Sequence, residues 1–197
     1  DTYTHILSRD KTLSKIFCLK NNIRTPDYEL IDDIKNIDVL ERLKLPLVVK
    51  PNMEGGSIGI SVKNLTYDFK IAKSLCKKLE LVLENDTLEN NLFGYELKKQ
   101  SDQKRIHRII TEQIDKETKN KIKNMFILLD KVELLRVDGR IKENKFYFIE
   151  LTPDIHIGRN ATVAQSFVLR NISYQEMLFM ILENTISSYL SQNANKK

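Results

Sequence analysis

At 197 residues, with 41% apolar and 30% charged side chains, the chain has the composition of a soluble globular protein of one large or two small domains, long enough to bury a core. No apolar run approaches the ~20 residues that a bilayer-spanning helix requires, and no secretory apolar segment opens the chain, so membrane association is not expected and the cytoplasm is. The net charge of +5 raises nucleic acid as a partner. Lysines are spread through every segment, however, and there is no Arg-rich block, aromatic-interleaved basic strand or helix-turn-helix pattern. A basic protein that handles anionic nucleotides accounts for the charge equally well. Cys18 and Cys76 fall on separate helical patterns and are expected as buried free thiols, while His5, His107 and His156 lack metal-ligand spacing. The chain opens on Asp1 rather than Met, so upstream residues are expected.

Ser8 reads as the N-cap of a short helix carrying Leu13, Ile16, Phe17 and Leu19 and ending at Asn21 and Asn22. Thr25-Pro26 punctuates, Tyr28 to Ile31 reads as a strand, and a polar helical connector covers Ile34 to Leu43. A strand follows up to Lys50, then a glycine turn, then a return strand from Ile58 to Val62. Phe69, Ala72, Leu75, Cys76 and Leu79 mark one face of a helix, and Leu81 to Glu84 a brief strand. From Asn85 to Arg105 the pattern dissolves. A helical stripe from Ile114 to Val132 precedes a hairpin of Glu133–Ile141 with Phe146–Leu151. Ser173-Tyr-Gln-Glu176 is a capping box for a last helix running to about Tyr189. Helices mixed with antiparallel hairpins predict α+β architecture.

Two segments carry chemistry. In the first, Pro46 and Pro51 bracket a β-branched run that delivers Lys50, and Glu54, Gly55, Gly56, Ser57 and Gly59 follow. Glycines free the backbone for a tight loop that can turn several N–H groups toward one anion, with the Lys50 charge beside them. The lysine precedes the glycines, so this is not the GxxxxGK[ST] phosphate loop. A plain hairpin turn is the alternative reading.

In the second, counting back from a turn centred on Glu143 and Asn144 leaves Asp138 and Glu150 roughly opposite each other. Facing carboxylates repel unless a cation lies between them, and two carboxylates with phosphate oxygens suit Mg²⁺. The alternative is that Asp138 pairs with Arg136 or Arg140, which share its face.

Taken together, these motifs resemble the ATP-grasp part of the D-alanine–D-alanine ligase family, nearly end to end. Ser8-Arg-Asp-Lys11 resembles the opening helix motif whose lysine contacts ATP phosphates. Val48-Val-Lys50-Pro and Glu54-Gly-Gly-Ser57-Ile-Gly59 resemble the lysine strand and phosphate loop. Phe93 to Lys98 resembles the mobile loop that closes over the site, and Ile172 to Leu178 the last helix. Arg136-Val-Asp138 and Glu150-Leu-Thr152 resemble the arginine and metal-ligand motifs.

The resemblance implies two α+β subdomains, residues 1–84 with the Lys50 strand and glycine loop and residues 85–197 with the metal-binding hairpin, whose antiparallel sheets clasp a nucleotide. It also implies ATP-dependent joining of small amino-acid substrates through an acyl phosphate, of the kind used in peptidoglycan biosynthesis. Lys11, Lys50, Glu54, Gly55, Gly56, Ser57, Gly59 and Glu84 would hold ATP. Asp138, Glu150 and Thr152 would hold Mg²⁺, with Mn²⁺ as a substitute, and Arg136 would stabilise the transferring phosphoryl group. A homodimer is compatible with it.

Four departures separate the chain from the family pattern. The substrate domain that precedes the opening helix in the family is not in the sequence. The adenine hinge is shortened to Glu84 or lacks a segment. Thr152 stands where the metal motif has Asn, and Ile155-His156 replaces a Pro-Gly turn. They keep open a second reading, a non-catalytic relative that binds nucleotide as a regulatory module.

Overall fold

Two short helices open the chain in the computed structural model, which describes residues 2–77, 81–85, 112, 114–129, 132 and 134–194. They are α1 (Thr2–Arg9) and α2 (Lys11–Lys20). Asp10, not Ser8, caps α2: its backbone is extended and its carboxylate accepts from Leu13 N at 2.9 Å. Ser8 lies inside α1 and donates to His5 O.

The face that α2 buries also differs from the apolar pattern. Lys11, Ser14, Lys15 and Cys18, at i, i+3, i+4 and i+7, are buried, while Leu13, Ile16 and Leu19 are 39–50% exposed. Contacts between Asn52 and the start of the helix hold it in this rotation.

Next come β1 (Tyr28–Ile31), a 3₁₀ helix at Ile34–Arg42, β2 (Leu47–Pro51), β3 (Leu65–Thr66), α3 (Phe69–Cys76) and β4 (Leu81–Asn85). The strands form an antiparallel sheet in the order β1-β4-β2-β3. The expected return strand at Ile58–Val62 does not form. Gly56, Ser57 and Gly59 adopt positive φ and coil the chain, a 3₁₀ turn spans Val62–Asn64, and β3 is the segment that pairs with β2. Leu47 and Val49 of β2 join Ile31, Leu40, Leu43, Ala72 and Cys76 in one core. Alternation therefore puts Lys50 on the other face of the sheet, beside Val48.

The second half contains α4 (Lys116–Leu128), β5 (Arg136–Lys142), β6 (Lys145–Thr152), α5 (Thr162–Val168) and α6 (Tyr174–Ala194). Of these only α5 carried no expectation. Glu143 and Asn144 have φ of +50° and +58°, a two-residue turn whose twist suits the hairpin. The capping box at α6 forms: Ser173 N donates to Glu176 Oε2 at 2.7 Å and Glu176 N to Ser173 Oγ at 3.2 Å.

The second core joins Met125, Leu129, Leu135, Phe146, Phe148 and Leu151 to Leu7, Cys18 and Ile23 from the start of the chain. The opening helices thus lie against the second hairpin while α2 reaches the loop after β2. Both cysteines are free and buried, and burial pushes their thiols up, to about 12 for Cys18 and about 11 for Cys76.

Candidate functional site

Asn52, only 1% exposed, joins the start of α2 to the end of β2. Its Oδ1 accepts from Thr12 N at 3.1 Å and from Thr12 Oγ1 at 3.2 Å, and its Nδ2 donates to Asp10 Oδ1 at 3.1 Å. Its carbonyl accepts from Lys11 N at 3.2 Å. These bonds place Lys11 Nζ against the glycine loop, where it donates to the carbonyl of Asn52 at 3.3 Å and to the carbonyl of Glu54. Burial pushes the Lys11 pKa below its ordinary value, and the carboxylates of Glu150, Glu54 and Asp10 act against that shift.

The loop itself is open. A Cβ added at Gly55 or Gly56 would meet nothing within 4 Å, which leaves room for an anion at the main chain. Gly59 is different: it has φ +73°, and a Cβ there would come 2.8 Å from Pro51 Cγ. Asn64 fixes the loop's far end. Its Nδ2 donates to Val49 O at 2.9 Å and Gly59 O at 3.0 Å, and its Oδ1 accepts from Ser61 N at 2.7 Å.

Lys50, half-buried, sits beside this loop, paired in register with Val82 of β4. Glu84 lies at the register position between Tyr28 of β1 and Val48 of β2, so it is placed in the same sheet. The Phe93–Lys98 motif lies outside the described residues.

On the hairpin, Arg136 pairs with Thr152, Val137 with Leu151 and Asp138 with Glu150, and a register shift follows between Asp138 and Gly139. Near the turn, Gly139 pairs with Phe148, so an unbroken ladder would set Asp138 against Ile149. The extra residue, a β-bulge, is what brings Glu150 opposite Asp138 on one face. Arg136 shares that face. Its Nε and Nη2 each donate to Asp138 at 2.8 Å, and Nη2 also donates to Thr152 Oγ1 at 3.2 Å. The bonds to Asp138 raise the arginine's pKa still further, with Glu150 adding to them. The alternative in which Asp138 pairs with Arg136 is therefore present in the structure.

These residues suit a hard divalent cation in kind. Two carboxylates and a hydroxyl leave the remaining positions for phosphate oxygens and water, the shell that Mg²⁺ prefers. Among the described residues, no group of three or more His, Cys, Asp or Glu side chains gathers into a metal site, so the protein donors here are few.

The structure places the sequence-predicted residues in two sets. One holds Lys11, Lys50, Glu54 and the glycines, and the other Arg136, Asp138, Glu150 and Thr152. Lys11 is bonded within the first set, and the Glu150 carboxylate of the second acts against the burial that lowers its pKa. Asp10, Asn52 and Asn64 were not anticipated. Asp10 directly before the helical pattern was a readable cap, but nothing in sequence marks Asn52 or Asn64 as anchors of the loop. No helix among the described residues is long and apolar enough to cross a membrane.

No protein-family model matches the chain. It is 27% identical over 179 residues to the D-alanine–D-alanine ligase of Campylobacter jejuni, covering 76% of this chain and 51% of that one. It is 26% identical to the Pelagibacter ubique enzyme of the same name, covering 92% and 71%. That second alignment runs over 218 positions, more than the 197 residues of this chain, so the relative carries residues with no counterpart here. The chain spans about half the length of the Campylobacter relatives it matches.

Among solved structures it is similar to the D-alanine–D-alanine ligase from Bacillus anthracis, with TM-score 0.72 and 22% identity over 94% of this chain and 70% of that one. The same enzyme complexed with ATP matches with TM-score 0.67 and 21% identity over 94% and 69%. An ADP complex of N5-carboxyaminoimidazole ribonucleotide synthetase follows at TM-score 0.55 and 14% identity over 84% and 52%.

Proposed function

We propose, for a chain that has the ATP-grasp fold and is related in sequence to the D-alanine–D-alanine ligases, that it binds ATP between the glycine loop and the β5–β6 hairpin and serves carboxylate–amine ligation. The observation that carries this reading is Lys11. Its ammonium is held on the carbonyls of Asn52 and Glu54 in the loop, and the Glu150 carboxylate on the hairpin acts against the burial that lowers its pKa.

In this reading the units of residues 1–84 and 85–197 flank the nucleotide, with Glu84 toward the adenine. Lys50 and Lys11 neutralise phosphate oxygens, and the N–H groups of Gly55, Gly56, Ser57 and Gly59 point donors at them. Asp138, Glu150 and Thr152 would hold Mg²⁺, or Mn²⁺ in its place, which would neutralise charge on the phosphates. Arg136 offers its fork to the transferring phosphoryl group.

The chemistry is the transfer of the γ-phosphoryl group to the carboxylate of one amino-acid substrate, releasing ADP. The amine of a second amino acid then attacks the acyl carbon, loses its proton and expels phosphate. No side chain acts as a covalent nucleophile. Positioning and charge neutralisation supply the catalysis.

Calorimetric titration of ATP with and without Mg²⁺ tests the reading. Saturable binding that needs Mg²⁺ and is lost in Lys50→Ala is expected, and unchanged affinity in that variant would overturn it. The Arg136 contacts to Asp138 and Thr152 favour a second reading, a nucleotide-binding module without turnover. ADP release that depends on added amino acids excludes this second reading.

A further inference from the structure

A single guanidinium engages two of the three oxygen donors expected for the metal. Arg136 donates to both oxygens of Asp138 at 2.8 Å and to Thr152 Oγ1 at 3.2 Å. The third donor, Glu150, faces Asp138 across the bulge and acts on two cations, Lys11 and Arg136. Two positive side chains therefore balance two carboxylates. A divalent ion arriving alone would have to enter beside a guanidinium that already holds Asp138, and like charges at that separation repel strongly.

Phosphate changes the balance. A guanidinium fork matches phosphate oxygens as well as it matches a carboxylate, and the Arg136 side chain is about one third exposed, so it has room to turn. Lys11 already lies on the loop where the phosphates are placed.

Resting on the nucleotide reading above, we propose that Arg136 is the resident counter-ion of the metal site, keeping Asp138 and Thr152 from free divalent cations until nucleotide phosphates draw its guanidinium away. Metal and nucleotide then bind as one unit, and the arginine released from the metal ligands becomes the arginine that meets the phosphoryl group. The same residue closes the site when it is empty and serves it when it is filled.

The test measures Mn²⁺ binding by the electron paramagnetic resonance of the free ion, with and without a non-hydrolysable ATP analogue. The wild-type chain is expected to bind Mn²⁺ weakly alone and tightly with the analogue. Arg136→Met should bind Mn²⁺ alone at least tenfold more tightly than wild type. Arg136→Lys should fall between them, because an ammonium lacks the fork that spans both Asp138 oxygens. With the analogue present, the advantage of Arg136→Met should vanish, and Glu150→Gln should lose the ion.

Thermal melts check that each variant folds, and the lysine variant carries the comparison if methionine at 136 is not tolerated. If neither Arg136 variant gains Mn²⁺ affinity in the absence of nucleotide, while analogue-dependent binding and its loss in Glu150→Gln persist, the counter-ion role is overturned and the nucleotide reading stands. If no variant binds Mn²⁺ or the analogue, the nucleotide reading fails and this role fails with it.

Discussion

Asp138 and Glu150 stand opposite each other because β6 carries one residue more than β5 between them and the turn. Without that bulge at Ile149 the ladder would set Ile149 against Asp138 and turn Glu150 to the other face. The bulge lies next to Gly139, where the Phe146 ring crosses the strand. A Cβ at this position would come 2.2 Å from ring carbons and 2.7 Å from the Tyr147 carbonyl. Gly139→Ala therefore forces the ring or the strand to move, at about 1–3 kcal/mol for overpacking. A drop in denaturation midpoint with a matching loss of Mg-dependent ATP affinity is expected. Full retention of both would show that the bulge does not depend on this glycine.

Asn52 makes five polar contacts between α2 and the loop, three of them through its side chain, which is nearly inaccessible. In Asn52→Ala the Thr12 hydroxyl and amide lose their acceptor in a partly buried setting, and Asp10 loses its donor. Stability should fall by about 2–3 kcal/mol. Lys11 should also lose its registration on the loop, so ATP affinity should fall more than stability alone accounts for. Comparing urea denaturation with calorimetry at a temperature where the variant is folded separates the two effects. Wild-type ATP affinity in the folded variant would show that Lys11 is placed by other contacts.

Gly59 tests the loop without touching a charge. Its φ of +73° is costly for any other residue, and a Cβ would press on Pro51 at 2.8 Å. Gly59→Ala should weaken ATP binding at least tenfold by displacing the loop. Gly55→Ala, whose Cβ meets nothing within 4 Å, should change the fold little. Equal thermal stability for the two variants would contradict this difference.

The strand ending at Lys50, the hairpin turn and the capping box were legible in sequence because each is specified locally, whereas the facing of Asp138 and Glu150 rests on a bulge at Ile149 that counting from the turn does not disclose. β-branched runs, a turn with two residues at positive φ and a Ser-x-x-Glu pattern need no distant partner. The buried face of α2 was not legible. Hydrophobic spacing selected Leu13, Ile16, Phe17 and Leu19; Phe17 packs partly buried against the core and the other three are exposed, while the helix buries Lys11, Ser14, Lys15 and Cys18, of which only Cys18 is expected. Contacts from Asn52, 41 residues downstream of Lys11, decide the rotation, and no period in α2 encodes them. The return strand failed for a related reason. Ile58, Ile60 and Val62 alternate like a strand, but the positive φ of Ser57 and Gly59 and the Asn64 side chain coil the chain first. Nor does chain order disclose that Leu7, Cys18 and Ile23 pack with the second hairpin. Local pattern gives way where contacts between segments distant in the chain decide the packing.

Lys15 is the clearest cost of that rotation. It is 1% exposed, with Nζ 5.4 Å from the centre of the Tyr28 ring, and burial pulls its pKa down to about 8 from 10.5. Below pH 8 both folded and unfolded chains carry the proton, and the cost of burying the charge is present in full. Between pH 8 and 10.5 the unfolded chain binds more protons at this residue, so the Lys15 contribution to unfolding free energy rises with pH. The rise totals about 3 kcal/mol at 1.36 kcal/mol per pKa unit. Other groups titrate in the same range, and the Cys18 thiol beside it, pushed up to about 12, runs the opposite way. The informative quantity is therefore the difference between wild type and Lys15→Met. Urea denaturation from pH 7 to 10.5 should show wild type gaining on the variant as pH rises from about 8 to 10.5, with Lys15→Met the more stable at pH 7. Parallel curves would mean that Lys15 keeps an ordinary pKa in the folded chain and that α2 does not bury it as a strained charge.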